Sequence, residues 1–222
     1  MRAIDIHTHN SGNSHGSPAI LNVLRDFNSI PATGYFSAGL HPWYIDEKTT
    51  PSEFKELETA AEHPHVLAIG ECGLDKACGT DMELQQEWFL RQIRLADRVH
   101  KPLIIHCVRA FEEILKILHD HPFGAPAVFH GFRKSGELAD RILSAGHFLS
   151  FGHHLQDERT AEVFSKIPME RVFLETDDSD MDITDIYRLA AKIRCMQLTD
   201  LADRIARNAF TVFGAALLDN HE

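Results

Sequence analysis

The chain predicts an α/β fold, a (β/α)8 barrel abbreviated near its second strand, on three observations. Short apolar runs alternate with amphipathic helical stretches along all 222 residues, which implies parallel strands joined by crossover helices. The polar residues that close successive runs, His7, His41, Glu71, His106, His130, His153 and Asp177, are spaced by 23 to 35 residues, room for a strand, a helix and their loops. An open doubly wound sheet would need a Gly-rich phosphate loop after its first strand, and none is present.

Taken in order, Arg2 to His9 reads as the first strand, followed by a polar loop from Asn10 to Ser17 and a second strand from Ala19 to Leu24. The ten residues between Leu24 and Tyr35 leave little room for a crossover helix, hence the abbreviation. Gly34 to Leu40 is the third strand, stopped by Pro42. Thr50 and Glu53 form a capping box with Pro51 at the first helical position, and Phe54, Leu57 and Ala61 recur on one face of a helix that ends before Pro64. Val66 to Gly70 runs into Glu71, after which Gly73 and Gly79 bracket an expected loop. A long helix from Asp81 to about His100 carries Leu84, Trp88, Leu95 and Val99 inward.

The same unit then repeats. Pro102 to Ile105 ends in His106 and precedes a helix with Phe111, Ile114, Leu115 and Leu118. Ala125 to Phe129 ends in His130 and precedes a helix with Leu138, Ile142 and Leu143, capped by Ser135. His147 to Phe151 ends in Gly152-His153-His154 before a helix near Thr160 to Lys166. Arg171 to Leu174 ends in Glu175-Thr176-Asp177, and helices near Asp185 to Cys195 and Thr199 to Phe213 complete the chain. A stripe of Leu201, Ile205 and Val212 belongs to the core.

At 44% hydrophobic and 25% charged residues, the composition is that of a globular chain able to bury a full core. Without a linker-like tract, a single domain over residues 1–222 is expected. The net charge of -11 disfavours nonspecific nucleic-acid binding through a basic surface, but leaves open a nuclease whose bound cations reverse the field locally. Cys72, Cys78, Cys107 and Cys195 show no C-x-x-C pairing and no leader precedes the first strand, so reduced thiols and a cytoplasmic location are expected. No apolar run reaches membrane-spanning length, and no obligate protein partner is evident.

The chemistry gathers at the strand ends. In a strand from Arg2 to His9 the side-chain period of two puts Asp5, His7 and His9 on one face. Two imidazoles so spaced can share a zinc, manganese, iron or similar ion. In a parallel barrel the C-terminal strand ends converge on one rim, so His7, His9, Glu71, His106, His130 and Asp177 would contribute four imidazoles and two carboxylates to one binuclear site. Six such residues arriving at one structural level argue against six unrelated loop-edge side chains.

Asp5-Ile6-His7-Thr8-His9, Gly39-Leu40-His41-Pro42, Ala68-Ile69-Gly70-Glu71-Cys72-Gly73-Leu74-Asp75, Pro102-Leu103-Ile104-Ile105-His106-Cys107, His130-Gly131-Phe132 and Leu174-Glu175-Thr176-Asp177 resemble, in order, the signature blocks of the TatD family. These are metal-dependent hydrolases with an amidohydrolase-like TIM-type barrel, many of them deoxyribonucleases. The resemblance implies two divalent cations (Zn, Mn, Mg or similar): His7, His9 and Asp177 on one, His106 and His130 on the other, and Glu71 bridging. Such ions acidify a shared water and hold a phosphoryl oxygen, and Asp177 is the candidate general base. His41, Arg109 and His153 are candidates for substrate contact, with His154 beside the last. Cys72 and Cys107 follow two of the ligands, and strand alternation turns them into the core as small hydrophobes.

Two departures from the family pattern bear on substrate. The family places an arginine two residues after the histidine of the His106 block, whereas here Val108 intervenes before Arg109. The acidic run Asp178-Ser179-Asp180-Met181-Asp182 also replaces a proline and a longer basic segment, which weakens the attraction for a DNA backbone. The reading is therefore a metal-dependent phosphodiester hydrolase acting on DNA or a small phosphoester. A binuclear hydrolase of a small ester, amide, lactone or phosphate is the alternative, and a non-catalytic metal-binding scaffold is a third that the full set of ligand types speaks against.

Overall fold

The computed structural model describes residues 3–10, 16–48 and 50–218. Arg2 at the start of the expected first strand and 11–15 of the loop after it lie outside the described residues. Eight strands, β1 (Asp5–Thr8), β2 (Ala19–Val23), β3 (Tyr35–Ala38), β4 (Val66–Asp75), β5 (Leu103–Val108), β6 (Ala127–Phe129), β7 (Phe148–Phe151) and β8 (Val172–Leu174), form one sheet whose order is the chain order. A parallel bridge from Thr8 to Asp177, just past β8, brings the last strand back to the first. The eight-stranded (β/α) barrel expected from the sequence is thus formed. Only a three-residue 3-10 turn, Phe27–Ser29, stands between β2 and β3, where the sequence left no room for a helix.

The helices are α1 (Thr50–Ala61), α2 (Met82–Val99), α3 (Phe111–Asp120), α4 (Gly136–Ser144), α5 (Glu158–Lys166), α6 (Ile183–Ile193) and α7 (Leu198–Phe213). The chain divides into two compact units, Asn22–Val128 and Met1–Leu21 with Phe129–Glu222.

In the Asn22–Val128 unit, α2 shows how local chemistry sets an element. Asp81 caps it by accepting the Glu83 and Leu84 N–H groups, and His100 ends it in the left-handed conformation. Trp88 and Leu95 are buried as expected, whereas Leu84 and Val99, near the ends, are half-buried; Phe89, Ile93 and Ala96 complete the inward face. Thr50 opens α1 with its hydroxyl turned back to accept the Asp46 N–H at 2.8 Å.

The expected loop after Glu71 forms only four residues later, because β4 continues through Gly73 to Asp75 and every residue of it is buried. Gly73, which reads as a loop residue, and Gly70 before it are there because two strands pass too close for side chains. A Cβ on Gly70, at φ +145°, would lie 2.4 Å from the Ile104 carbonyl oxygen, and one on Gly73, at φ +144°, 2.1 Å from that of His106. Those contacts hold β4 in register with β5, Gly73 opposite His106, and so fix the spacing of Glu71 and His106.

In the other unit, β1 and β8 are buried along their whole lengths. The Tyr187 hydroxyl on α6 both accepts from the Ile4 N–H and donates to the Ile4 carbonyl, each at 2.9 Å, anchoring the entry to β1. Ser135 caps α4 as expected, and Leu201, Ile205 and Val212 of α7 lie in the core. The buried Asn208 amide donates to the Met169 and Val172 carbonyls at the start of β8.

Two stability measurements check this packing. Gly73→Ala is expected to cost about 1–3 kcal/mol through overpacking and backbone strain, read as a lower urea midpoint; an unchanged midpoint would show that the strands can part freely. His147, just before β7, has its pKa lowered to about 4 by burial, with Arg171 adding to the shift. Between pH 4 and the ordinary value of about 6.5 the unfolded chain therefore binds more protons than the folded one, so stability falls as pH drops through that window, by up to about 3 kcal/mol. Denaturation at pH 4.5 and 7 should show His147→Gln losing less on acidification than the parent chain.

Candidate functional site

Chemistry-bearing side chains gather at strand ends within each unit. In the unit containing β1 and β8, the organising group is Asp5, fully buried at the start of β1. Its carboxylate accepts the Thr176 N–H at 3.0 Å and the Thr176 hydroxyl at 2.7 Å. Burial pushes the Asp5 carboxyl up to about 7 against the pull of those two bonds. The Asp177 N–H donates to the His7 carbonyl and the His9 N–H to the Asp177 carbonyl, both at 3.0 Å. Asp177 itself turns out of β8 with φ +56°, a left-handed conformation uncommon for a residue with a side chain.

The result is a shared focus. His7 Nε2 and His9 Nε2 each lie 3.5 Å from Asp177 Oδ1, and His130 Nδ1 lies 3.9 Å from Asp177 Oδ2. Donor atoms of His7, His130 and Asp177 all fall within 4.8 Å of one another. Donors about 2.1 Å from a tetrahedral ion stand about 3.4 Å apart, so the two 3.5 Å separations suit ligands around one cation better than strong hydrogen bonds. Imidazole with carboxylate is a donor set for zinc, manganese or a similar ion. His130, which the family resemblance assigns to the second ion with His106, stands beside His7, ring centroids 4.5 Å apart.

Glu175, fully buried, was not singled out from the sequence. Its Oε1 accepts the Gly131 N–H at 2.5 Å, tying down the residue after His130. Its Oε2 has no hydrogen-bond partner among the described residues.

The Asn22–Val128 unit holds a second group. His106 Nδ1 lies 2.7 Å and His41 Nε2 3.2 Å from Glu71 Oε1, and donor atoms of His41, Glu71 and His106 lie within 4.8 Å of one another. The Asn22 amide holds the rest of Glu71, donating to Oε2 at 3.1 Å and accepting the Glu71 N–H at 3.0 Å. Asp75 Oδ2 lies 3.2 Å from His106 Nε2 and accepts the Trp43 indole N–H at 2.6 Å. Burial raises the Asp75 carboxyl, but the bonds from Trp43, the Ala77 N–H and His106 outweigh it and leave the pKa below the ordinary value. His41, a candidate for substrate contact, is buried beside Glu71.

Two glutamines on α2 strap these strand ends in place. Gln92 accepts the Leu40 N–H at 2.7 Å and donates to the Leu40 carbonyl at 3.1 Å, fixing the residue before His41. Gln85 does the same for Asp75, at 2.8 and 3.0 Å.

The remaining candidates are placed differently. Arg109 is exposed past β5 with φ +57°. His153 and His154 sit half-buried in a 3-10 turn after β7, rings 4.0 Å apart. Burial, then His153 and Arg133, lower the His154 pKa, and its Nε2 lies 3.0 Å from an Arg133 guanidinium nitrogen. In the acidic run, Asp182 serves as the N-cap of α6, accepting the Thr184 N–H at 2.6 Å. Cys72 is fully buried as expected, but Cys107 is only half-buried, because β5 loses its cover toward its end.

A parallel barrel that presents imidazoles and carboxylates at its strand ends defines a hydrolase of the metal-dependent barrel class. The profile described as TatD related DNase matches residues 9–214, and the chain belongs to that family, in agreement with its signature blocks. It is 28% identical to the uncharacterized metal-dependent hydrolase YjjV of Escherichia coli K12 over 81% of this chain and 76% of that protein. It is 31% identical to the 3'-5' ssDNA/RNA exonuclease TatD of Pantoea vagans over 84% and 80%. The crystal structure of the E. coli TatD homolog YjjV superposes with a TM-score of 0.83 over 95% of this chain and 97% of that one at 24% identity, a likeness of fold.

Asp75 joins an imidazole of the second group to the indole above it, the kind of support whose loss typically weakens a metal site about 10- to 100-fold. Asp75→Asn is expected to lower divalent-cation affinity within that range in calorimetric titration; an unchanged affinity would remove Asp75 from the supporting role.

Proposed function

We propose that this chain is a divalent-metal-dependent phosphodiesterase that trims single-stranded nucleic acid, using cations held by the two groups. The observation that carries the reading is the His7, His130 and Asp177 donor set, converging within 4.8 Å in a member of the TatD-related DNase family. The Pantoea vagans relative, named a single-stranded DNA/RNA exonuclease, supports the substrate class.

One cation belongs to His7, His9, His130 and Asp177, the other to His41, Glu71 and His106. When bound, such ions supply an activated water and neutralise phosphoryl oxygens. The chain's own residues orient and move protons around that chemistry. Asp177, the least buried of the carboxylates facing these imidazoles, accepts a proton from the attacking water as general base. Asn22 keeps the Glu71 carboxylate from rotating, and Asp5 fixes the turn into Asp177 through Thr176.

The chain works as one hydrolase domain in this reading, which is supported by both unit boundaries falling inside strands, β2 and β6, rather than in linkers. Free thiols at Cys72, Cys78, Cys107 and Cys195 fit a reducing, cytoplasmic setting. No helix among the described residues is long and apolar enough to cross a membrane.

The deciding experiment compares single-stranded DNA with a panel of small esters, amides and phosphate esters, before and after chelation and with Mg, Mn or Zn restored. Phosphodiester hydrolysis that vanishes with chelator and returns with metal is expected. Glu71→Ala and Asp177→Ala should each reduce it by at least about 100-fold. Turnover confined to small esters, or indifferent to either substitution, would overturn the reading.

A further inference from the structure

The turn after β3 carries a feature that metal chemistry alone does not use. Of the large hydrophobic side chains exposed among the described residues, Trp43, Tyr44 and Phe210, the first two are adjacent, and Trp43 is 57% exposed. They follow His41 in a 3-10 turn, Pro42–Tyr44, that is held closed by Pro42 and by the Trp43 N–H donating to His41 Nδ1 at 3.2 Å. The indole cannot swing freely, since its N–H is bound at 2.6 Å to the buried Asp75 carboxylate. Its ring centroid lies 4.9 Å from that of His41 and 5.9 Å from that of His106. Tyr44 lies 5.7 Å from His41, and the exposed Arg25 guanidinium covers it at 4.6 Å from the ring centroid.

An exposed aromatic ring with its orientation already fixed loses little entropy when another ring stacks on it. Here it borders the imidazoles of a candidate metal group, with a guanidinium beside it. Nucleobases offer a flat π-face whatever their sequence, and stacking on aromatic side chains with a nearby cation is how single strands are gripped without base readout. The alternatives fit less well. A protein partner would call for a wider apolar patch than two rings, and an indole needed only to bond Asp75 would not have to leave its faces in water.

We propose that Trp43, with Tyr44 and Arg25 beside it, is a base-stacking platform that receives a nucleobase of the single-stranded substrate next to the phosphodiester to be cleaved. The inference rests on the phosphodiesterase reading above and narrows it to substrates that carry a base, with affinity for DNA and RNA strands alike.

The chain has two tryptophans, and Trp88 is buried, so Trp43 emission reports on the platform without turnover. Deoxyadenosine monophosphate is expected to quench that emission saturably in the intact protein, 2-deoxyribose 5-phosphate is not, and Trp43→Phe should lose the quench. In hydrolysis, an oligonucleotide ending in a normal nucleotide should show a KM about tenfold below that of one ending in an abasic residue. Trp43→Ala should bring that ratio to about one, and Trp43→Phe, which keeps a stacking ring but not the bond to Asp75, should restore most of it. No quench, or a Trp43→Phe variant as impaired as Trp43→Ala, would overturn the platform and leave the indole as a support for Asp75. Saturable quenching in a protein that cleaves neither oligonucleotide would keep the platform and overturn the phosphodiesterase reading.

Discussion

A single buried carboxylate holds the start of β1 against the segment that leaves β8. Asp5 satisfies both the N–H and the hydroxyl of Thr176, and the Thr176 hydroxyl also lies 2.8 Å from that of Thr8. Residues 171 positions apart in the chain are thereby joined by short polar bonds in an environment without competing water, where such bonds are strong and their loss costly. His7, His9 and Asp177 flank this knot directly, so their convergence follows from it. If the knot came undone, β1 would still present two imidazoles on one face, but the carboxylate between them would have no fixed position.

The other unit solves the same problem with amides and glycines. Gln85 and Gln92 each mimic a strand neighbour, giving and taking one hydrogen bond with a single backbone residue, and Gly70 and Gly73 permit the strand contact that sets Glu71 near His106. Buried glutamines on a helix face would be wasteful as packing. They make sense where strand ends splay and their backbone groups lack a full set of ladder partners. The strand ends that carry the carboxylates and imidazoles of this group are thus positioned in part by two fully buried amides.

Much of this architecture was legible in the chain because its signals are local. β6 and β8 ended where apolar runs met His130 and Glu175, whereas β4 and β5 ran on past Glu71 and His106. Ser135 capped where its type suggested, and the short gap before Tyr35 left no room for an α-helix. The errors came where local signals conflict with long-range packing. Gly73 looks like a loop residue until the His106 carbonyl is placed against it, and nothing local in the sequence announces that His41 packs in the interior beside Glu71. Asn22, Trp43 and Asp75 could not have been grouped with Glu71 or His106 from spacing, since their contacts span 31 to 49 residues. Asp75 did lie in the most telling signature block, and a carboxylate two strand periods beyond Glu71 on the same face was the one available clue.

The charge balance explains why recognition should lean on rings. With a net charge of -11 and buried carboxylates at Asp5, Glu71, Asp75 and Glu175, this protein cannot draw in a polyanion by its overall field, and the acidic stretch after Asp177 adds to the repulsion. Attraction must then be local, from cations among the imidazoles and from a few guanidinium groups, and such contacts weaken as salt rises. Stacking depends on surface contact rather than on charge and survives where the long-range field is unfavourable. A fixed indole at the edge of a histidine and carboxylate group therefore supplies what the rest of the surface withholds, a grip on the strand that does not compete with the protein's own negative charge.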